Sequence, residues 1–289
     1  MSVVLITGCS TGIGLETALA FARNGDTVYA TMRNPKKAEA LLERAKSEGL
    51  GVEVLALDVT DDESVASAVQ EVESRHGAID VLVNNAGIMA SGAVETVDMA
   101  GARAVMETNL WGAVRMMRAT LPAMRARGAG VIINVTSVAG RVPASAFEGW
   151  YGTSKHALNA LTEAMVMEVA PFGVRLVCIE PGFFRTEITA NDPARIDPND
   201  PYAADHAWMR EFYDKSVGGG RDDVFVVADA IVAAAADPDS PLHVLVGEDA
   251  VGFVDLVAQA GTLEAWLPIA VGIVEGVAGP RPVAGATRP

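Results

Sequence analysis

Apolar positions recur along the first 180 residues in two alternating rhythms. Short, nearly continuous apolar runs at 3–6, 27–31, 52–57, 81–83, 131–135 and 174–179 read as strands. Runs without polar alternation belong to strands covered on both faces. Between them apolar residues return every three or four positions, the spacing of one helical face. Leu15, Ala18, Leu19 and Ala22 mark the first such helix, with Gly25 as its stop. Asn34-Pro35 supplies a cap and a first-turn proline for a charged helix reaching about Gly49. Thr60-Asp61-Asp62-Glu63 reads as a capping box for the next. A long helix is expected over 99–127, disturbed near Pro122, and another from about Tyr151 to before Gly173. Strands alternating with helices imply an α/β fold: a Rossmann-like, doubly wound parallel sheet of about seven strands with helices on both faces.

The pattern changes after Pro181. Residues 191–202 are rich in Asp, Pro and Asn and read as loop. Residues 207–213 form a short amphipathic piece, Gly218-Gly219-Gly220 is a break, and a helix at 227–236 and a strand at 242–246 return to the α/β theme. Trp208, Met209, Phe212 and Tyr213 sit at near-helical spacing. They belong either to a substrate lid over 186–226, hinged at the three glycines, or to a cover over an exposed core edge. The tail from Gly279 is poor in large apolar residues and is expected to fray. The expected organisation is one domain over 1–280, with a cofactor half at 1–135, a catalytic and substrate half at 136–280, and a flexible tail at 281–289.

Composition narrows the classes. The 289 residues are 50% hydrophobic and 20% charged, which is globular and ample for a core. A net charge of −15 argues against a nucleic-acid partner and against an anionic membrane surface. The two cysteines, Cys9 and Cys178, make neither a disulfide framework nor a zinc pattern, so no metal is expected. No basic leader precedes the first strand. No uncharged apolar run reaches the length of a membrane span; the longest candidate, 266–279, is interrupted by Glu275. A cytoplasmic location is therefore expected.

Two places carry chemistry. Thr7-Gly8-Cys9-Ser10-Thr11-Gly12-Ile13-Gly14 joins the first strand to the first helix. Glycines there admit a pyrophosphate to the backbone, and the helix N-terminus faces it with free N–H groups. The second strand ends Ala30-Thr31-Met32-Arg33, where folds that prefer NAD usually place an acid for the ribose. Arg33 offers instead a guanidinium fork suited to a phosphate, although a solvated arginine at a loop would look the same. The other place is Tyr151-Gly152-Thr153-Ser154-Lys155. Residues four apart share a helical face. A nearby ammonium is expected to lower the phenol pKa from its usual value of about 10, fitting it for proton exchange with an alcohol or carbonyl. Ser137 follows a strand and is placed to bond the same substrate oxygen. Alone, the Tyr–Lys spacing also fits an ordinary exposed pair.

Taken in order, Thr7-Gly8-x-x-x-Gly12-Ile13-Gly14, Asn84-Asn85-Ala86-Gly87, Ser137 and Tyr151-x-x-x-Lys155 resemble the short-chain dehydrogenase/reductase family, closely over about 3–186. The resemblance implies an NAD(P)-dependent oxidoreductase acting on CH–OH groups. It implies that Gly8, Ser10, Thr11, Gly12, Ile13 and Gly14 line the cofactor pyrophosphate and ribose. Asp58 and Val59 would meet the adenine, and Asn85, Ala86 and Gly87 would stabilise the sheet and pass the adenine ribose. Pro181, Gly182 and Thr186 would contact the nicotinamide amide. Asn109 would hold a proton-relay water, and Ser137, Tyr151 and Lys155 would do the chemistry, Tyr151 and Lys155 also touching the cofactor. Thr7-Gly8-Cys9-Ser10, Tyr29-Ala30-Thr31-Met32-Arg33 and Pro171-Phe172-Gly173-Val174 resemble the estradiol-type hydroxysteroid and retinol dehydrogenase branch. Such enzymes take bulky apolar alcohols and ketones.

With Arg33, this makes NADP(H) the expected cofactor over NAD(H), and a steroid-, retinoid- or lipid-like small molecule the expected substrate. The alternatives are an NADP(H)-binding epimerase or dehydratase, which would carry a longer C-terminal domain, and a non-catalytic cofactor-sensing regulator, which would have lost the tyrosine or lysine. Apolar residues on more than one face of the helices at 99–127 and 151–170 (Trp111, Val114, Met116 and Met117; Ala157, Leu158, Ala160, Leu161, Ala164, Met165 and Met167) point to a homodimer or homotetramer.

Overall fold

In the computed structural model, which describes residues 1–143, 146–188, 199–218 and 223–282, seven strands form one parallel sheet. They are β1 (Val3–Ile6), β2 (Thr27–Met32), β3 (Val52–Ala56), β4 (Val81–Asn84), β5 (Gly130–Val135), β6 (Val174–Pro181) and β7 (His243–Val246). Their order is β3-β2-β1-β4-β5-β6-β7, and every neighbouring pair is parallel. Chain direction across the sheet reverses between β1 and β4, and a crevice opens at the carboxyl ends of the strands where the order reverses.

Alternate residues of each strand enter opposite layers, as the two-residue period of a strand requires. Val4, Ile6, Val28 and Ala30 pack with helix α1 (Gly12–Arg23), α2 (Glu39–Ser47) and, past β6, α8 (Phe225–Ala236). Leu5, Tyr29, Leu82 and Ile132 pack with α3 (Asp62–His76), α5 (Gly112–Arg127) and α6 (Gly149–Val169). Buried cross-links tie the second layer to the sheet: Asn84 Nδ2 donates to Asn134 Oδ1 at 2.8 Å, and Asn134 Nδ2 to Thr162 Oγ1 on α6 at 2.9 Å.

Several local expectations need correction. Helix α3 is capped by Asp61, whose Oδ1 accepts from Glu63 N and Ser64 N at 2.8 and 3.1 Å; Thr60 donates instead to Asp58. Pro122 does not break the long helix. It is exposed within α5, so the carbonyl it cannot bond faces water. The interruption lies earlier, where a π-helical turn at Glu107–Trp111 separates α4 (Met99–Met106) from α5.

The amphipathic piece expected at 207–213 is part of a longer helix, α7 (Ala203–Gly218). Two further helices follow: α9 (Glu248–Ala260), which the sequence reading did not single out, and α10 (Leu263–Ala278), which was read only as an apolar stretch. With α7 they cap the carboxyl ends of β5 to β7. Trp208, Met209 and Phe212 are buried against Val274 and Ala278 of α10, so these aromatics are themselves a small core. Trp266 Nε1 pins α10 to Pro143 O at 2.8 Å. The chain past α10 is held as far as Arg281, which pairs with Asp205 at 2.7 Å, while Trp208 Nε1 donates to Gly279 O at 2.8 Å. Residues 283–289 lie outside the described residues, as do 189–198 and 219–222 of the expected lid, including two of its three glycines. Among the described residues no helix is long and apolar enough to cross a membrane.

Candidate active site

The crevice contains a cavity of about 550 Å³. At one end lies the glycine-rich turn. Gly8 has a φ of +75°, and a side chain there would meet the Ala86 backbone at 2.9 Å. The turn is braced from the next strand: Asn85 Nδ2 donates to Thr7 O and Gly8 O at 2.9 and 3.1 Å, and Thr7 Oγ1 accepts from Asn85 N and Ala86 N, both at 3.0 Å. Gly8, Ser10, Thr11, Gly12 and Ile13 line the cavity at the start of α1. This bare cradle at a helix N-terminus fits a pyrophosphate. Gly14 does not line it. A side chain on Gly14 would collide with the Gly8 carbonyl and Asn85, so this glycine serves close packing of helix on turn.

Beside the turn, Asp58 and Val59 line the cavity, with Asp58 Oδ1 accepting from Thr60 N at 3.0 Å. Arg33 lines it at the end of β2. So does Lys37, which sequence reasoning missed although it closes the Asn34-Pro35-Lys36-Lys37 run. Both are exposed, and neither makes an ion pair among the described residues. The 181–186 segment closes the other side. Pro181, Gly182 and Thr186 line the cavity, and a Cβ on Gly12 would sit 3.6 Å from Thr186 Cβ. Phe183 N is fixed by Asp249 Oδ2 at 2.6 Å, a tie from α9 that no sequence signal announced.

Ser137, Tyr151 and Lys155 converge deeper in. Ser137 follows β5 and accepts from Ala139 N at 3.1 Å, which orients its oxygen. Lys155 is 3% exposed; its Nζ donates to Val135 O at 2.9 Å and lies 5.6 Å from the Tyr151 ring centre. Burial lowers the Lys155 pKa to about 8. Tyr151 departs from expectation. Burial raises its pKa to about 12; a hydrogen bond with Ser137 works against this, and the Glu148 carboxylate adds to the rise. The Lys155 ammonium donates to Val135 O. Tyr151 therefore holds its proton throughout the neutral range.

Asn109 is in the π-helical turn and does not line the cavity. Its Oδ1 accepts from Ile88 N at 2.8 Å, and its Nδ2 donates to Ile88 O and Ser154 Oγ at 2.9 and 3.0 Å. Its side chain is thereby committed to shaping the segment at Ala86 and Gly87. A Cβ on Gly87 would stand 3.5 Å from Asn109 Oδ1 and 3.7 Å from Lys155 Nζ. Ala86, Gly87 and Asn85 line the cavity. Beyond Tyr151 the walls turn aromatic: Phe183 meets Phe212, Tyr213 and Phe253 edge-on at 5.5 to 5.8 Å. Glu148 and His206 also face this part and were not foreseen. Glu148 immediately precedes α6, three residues before Tyr151.

A family model described as short chain dehydrogenase matches residues 2–197. Oxidoreductase BOA17 of Botryotinia fuckeliana is 35% identical over 254 residues, 88% of this chain and 92% of that protein. Human retinol dehydrogenase 8 is 39% identical over 198 residues, 67% of this chain and 62% of that protein. The solved structure of a gluconate 5-dehydrogenase from Burkholderia cenocepacia, in complex with NADP and tartrate, is 30% identical with a TM-score of 0.69, covering 87% of this chain and 95% of that one.

Proposed function

This chain belongs to the short-chain dehydrogenase family, and from that premise we propose that it is an NADP(H)-dependent oxidoreductase interconverting a bulky apolar ketone or aldehyde with its alcohol. The observation that carries the reading is the convergence of Ser137, Tyr151 and Lys155 in the cavity that begins at the glycine-rich turn. Bound there, the nicotinamide would supply or accept the hydride.

The protein's part is to hold and to move a proton. Tyr151, protonated at neutrality, is the acid that delivers a proton to a carbonyl oxygen as charge grows on it. Ser137 is the second group for that oxygen, and a hydrogen bond there strengthens as charge develops. Lys155 would help hold the cofactor, and its pKa of about 8 lets it exchange protons near neutrality. Asn109 is a positioning residue: its side chain is tied to Ile88 and Ser154, behind the segment at Ala86 and Gly87.

The preference for NADP(H) rests on Arg33 at the end of β2, in the place where an acid would favour NAD, and on Lys37 in the turn that follows. The NADP complex of the gluconate 5-dehydrogenase is in keeping with it. The bulky apolar substrate rests on the aromatic walls of the cavity and on the likeness to a retinol dehydrogenase. We also infer a homo-oligomer. Met99, Trp111 and Met167 are 49, 50 and 85% exposed, and a shallow groove between α4 and the start of α6 buries the Trp150 indole N–H without a partner among the described residues. Met116 and Met117, by contrast, belong to the core and leave that argument.

The test is NADPH oxidation followed by absorbance over a panel of apolar ketones, with Tyr151→Phe beside the wild type. Phe keeps the ring and removes the proton donor, so turnover should fall about 10²–10⁴-fold while NADPH affinity stays nearly constant. Substantial activity in Tyr151→Phe would remove the tyrosine from the mechanism.

A further inference from the structure

Glu148 brings a carboxylate to the aromatic end of the cavity, and its setting is specific. Glu148 is 9% exposed, lines the cavity and stands at the head of α6, three residues before Tyr151. Its carbonyl accepts from Gly152 N at 2.8 Å, which joins it to the first turn of the helix that carries the acid. The residue before it, Phe147, has a φ of 63°, a left-handed conformation that a bulky side chain adopts only when its surroundings enforce it. Two contacts enforce it here. Phe147 O accepts from Gly92 N at 2.7 Å, and its ring stacks on His206 at 5.1 Å. The turn so held delivers Glu148 to the cavity. On α7, burial first and then the nearby Glu148 carboxylate hold the Tyr213 phenol well above its usual pKa.

A carboxylate among phenyl rings is costly unless hydrogen-bonded, and its two oxygens together offer about four acceptor directions. A substrate donor brought against the carboxylate would fill one of those directions. We propose that Glu148, beside Tyr213, recognises a hydrogen-bond donor on the substrate, a hydroxyl or an ammonium a few bonds from the reacting carbonyl. The substrate class is then an apolar ketone that carries such a donor, not a plain hydrocarbon ketone. This rests on the oxidoreductase reading above and sharpens it. The carboxylate also has an electrostatic effect on the acid, since its charge is one reason Tyr151 keeps its proton.

The experiment uses NADPH and three ketones of equal chain length: a plain ketone, its β-hydroxy analogue and its α-amino analogue. Wild-type kcat/KM should favour at least one donor-bearing ketone by on the order of 10- to 100-fold, the range of a hydrogen bond to a charged group. Glu148→Ala should erase the preference. Glu148→Gln, which keeps the shape and an acceptor, should spare a hydroxyl preference and lose an ammonium preference, so the pair tells the two donors apart. In Glu148→Gln the alkaline limb of the kcat profile should move to lower pH, a change that a purely structural role would not produce. Equal wild-type kcat/KM for plain and donor-bearing ketones overturns the inference, and so does a preference that survives both substitutions. Wild-type turnover of the plain ketone with no preference overturns this inference alone. A wild type that reduces none of the three overturns the oxidoreductase reading and this inference with it.

Discussion

Replacing Lys155 with methionine should make the protein more stable at neutral pH, and the gain should vanish in alkali. The ammonium is enclosed at 3% exposure with one neutral acceptor, Val135 O. Its pKa falls from 10.5 to about 8 because burial disfavours the charged form. At about 1.4 kcal/mol per tenfold change in a proton equilibrium, that fall is worth about 3 kcal/mol. The sign follows from proton counting. Between pH 8 and 10.5 the unfolded chain binds a proton at this lysine that the folded chain has released, so stability rises with pH across that window. Below pH 8 both states are protonated, and the folded state bears the whole cost. Wild type should therefore gain about 3 kcal/mol relative to Lys155→Met between pH 7 and 10.5. The assay is urea denaturation of both proteins without added cofactor, in half-unit steps over that range. Tyr151 does not intrude below about pH 10, because its own shift opens a window between 10 and about 12 in which stability falls as pH rises. A wild-type-minus-variant difference that is flat from pH 7 to 10 would refute the reasoning.

The phosphate end of the cavity should respond independently. Arg33→Ala and Lys37→Ala should each weaken NADPH binding by about 1–3 kcal/mol and leave NADH nearly unchanged, read by fluorescence titration of both nucleotides; equal wild-type affinities for the two would sink the cofactor preference. Trp111→Glu should convert an oligomer to monomers in light scattering at micromolar concentration, and a monomeric wild type would dismiss the interface at α4 and α6. Hydrogen exchange with NADPH and a bound ketone should raise protection in α7 if the 186–226 segment closes over the substrate, and unchanged protection there would favour a fixed wall.

The sheet was legible because its strands are apolar runs with few polar interruptions, and the glycine-rich turn because φ values such as +75° at Gly8 restrict the residue type. Tyr151 and Lys155 were legible because helix geometry turns a spacing of four into proximity. The C-terminal cap was not. α10 is apolar on nearly all sides, with Leu267, Ile269 and Val271 exposed while Trp266 and Val274 are buried, so no stripe announced which face it covers. The Tyr151 pKa also escaped. Spacing shows that an ammonium is near, but only the structure shows that the ammonium points to Val135 O and that Glu148 faces the phenol. The π-helical turn was hidden behind Pro122, the only conspicuous breaker in a helix whose actual irregularity involves no proline at all.

The tie between Asp249 and Phe183 N has a consequence for how such an enzyme can diverge. The cofactor end is built from the first six strands, whereas the aromatic walls draw on α7, α9 and α10, all lying beyond the stretch that the family model spans. Among the ties that anchor the cap near the chemistry are this carboxylate and the Trp266 indole. A change elsewhere in the cap that keeps those ties alters the aromatic walls and leaves the glycine-rich turn, Ser137, Tyr151 and Lys155 in place. Asp249 is thus a hinge pin between an inherited machine and an exchangeable mouthpiece.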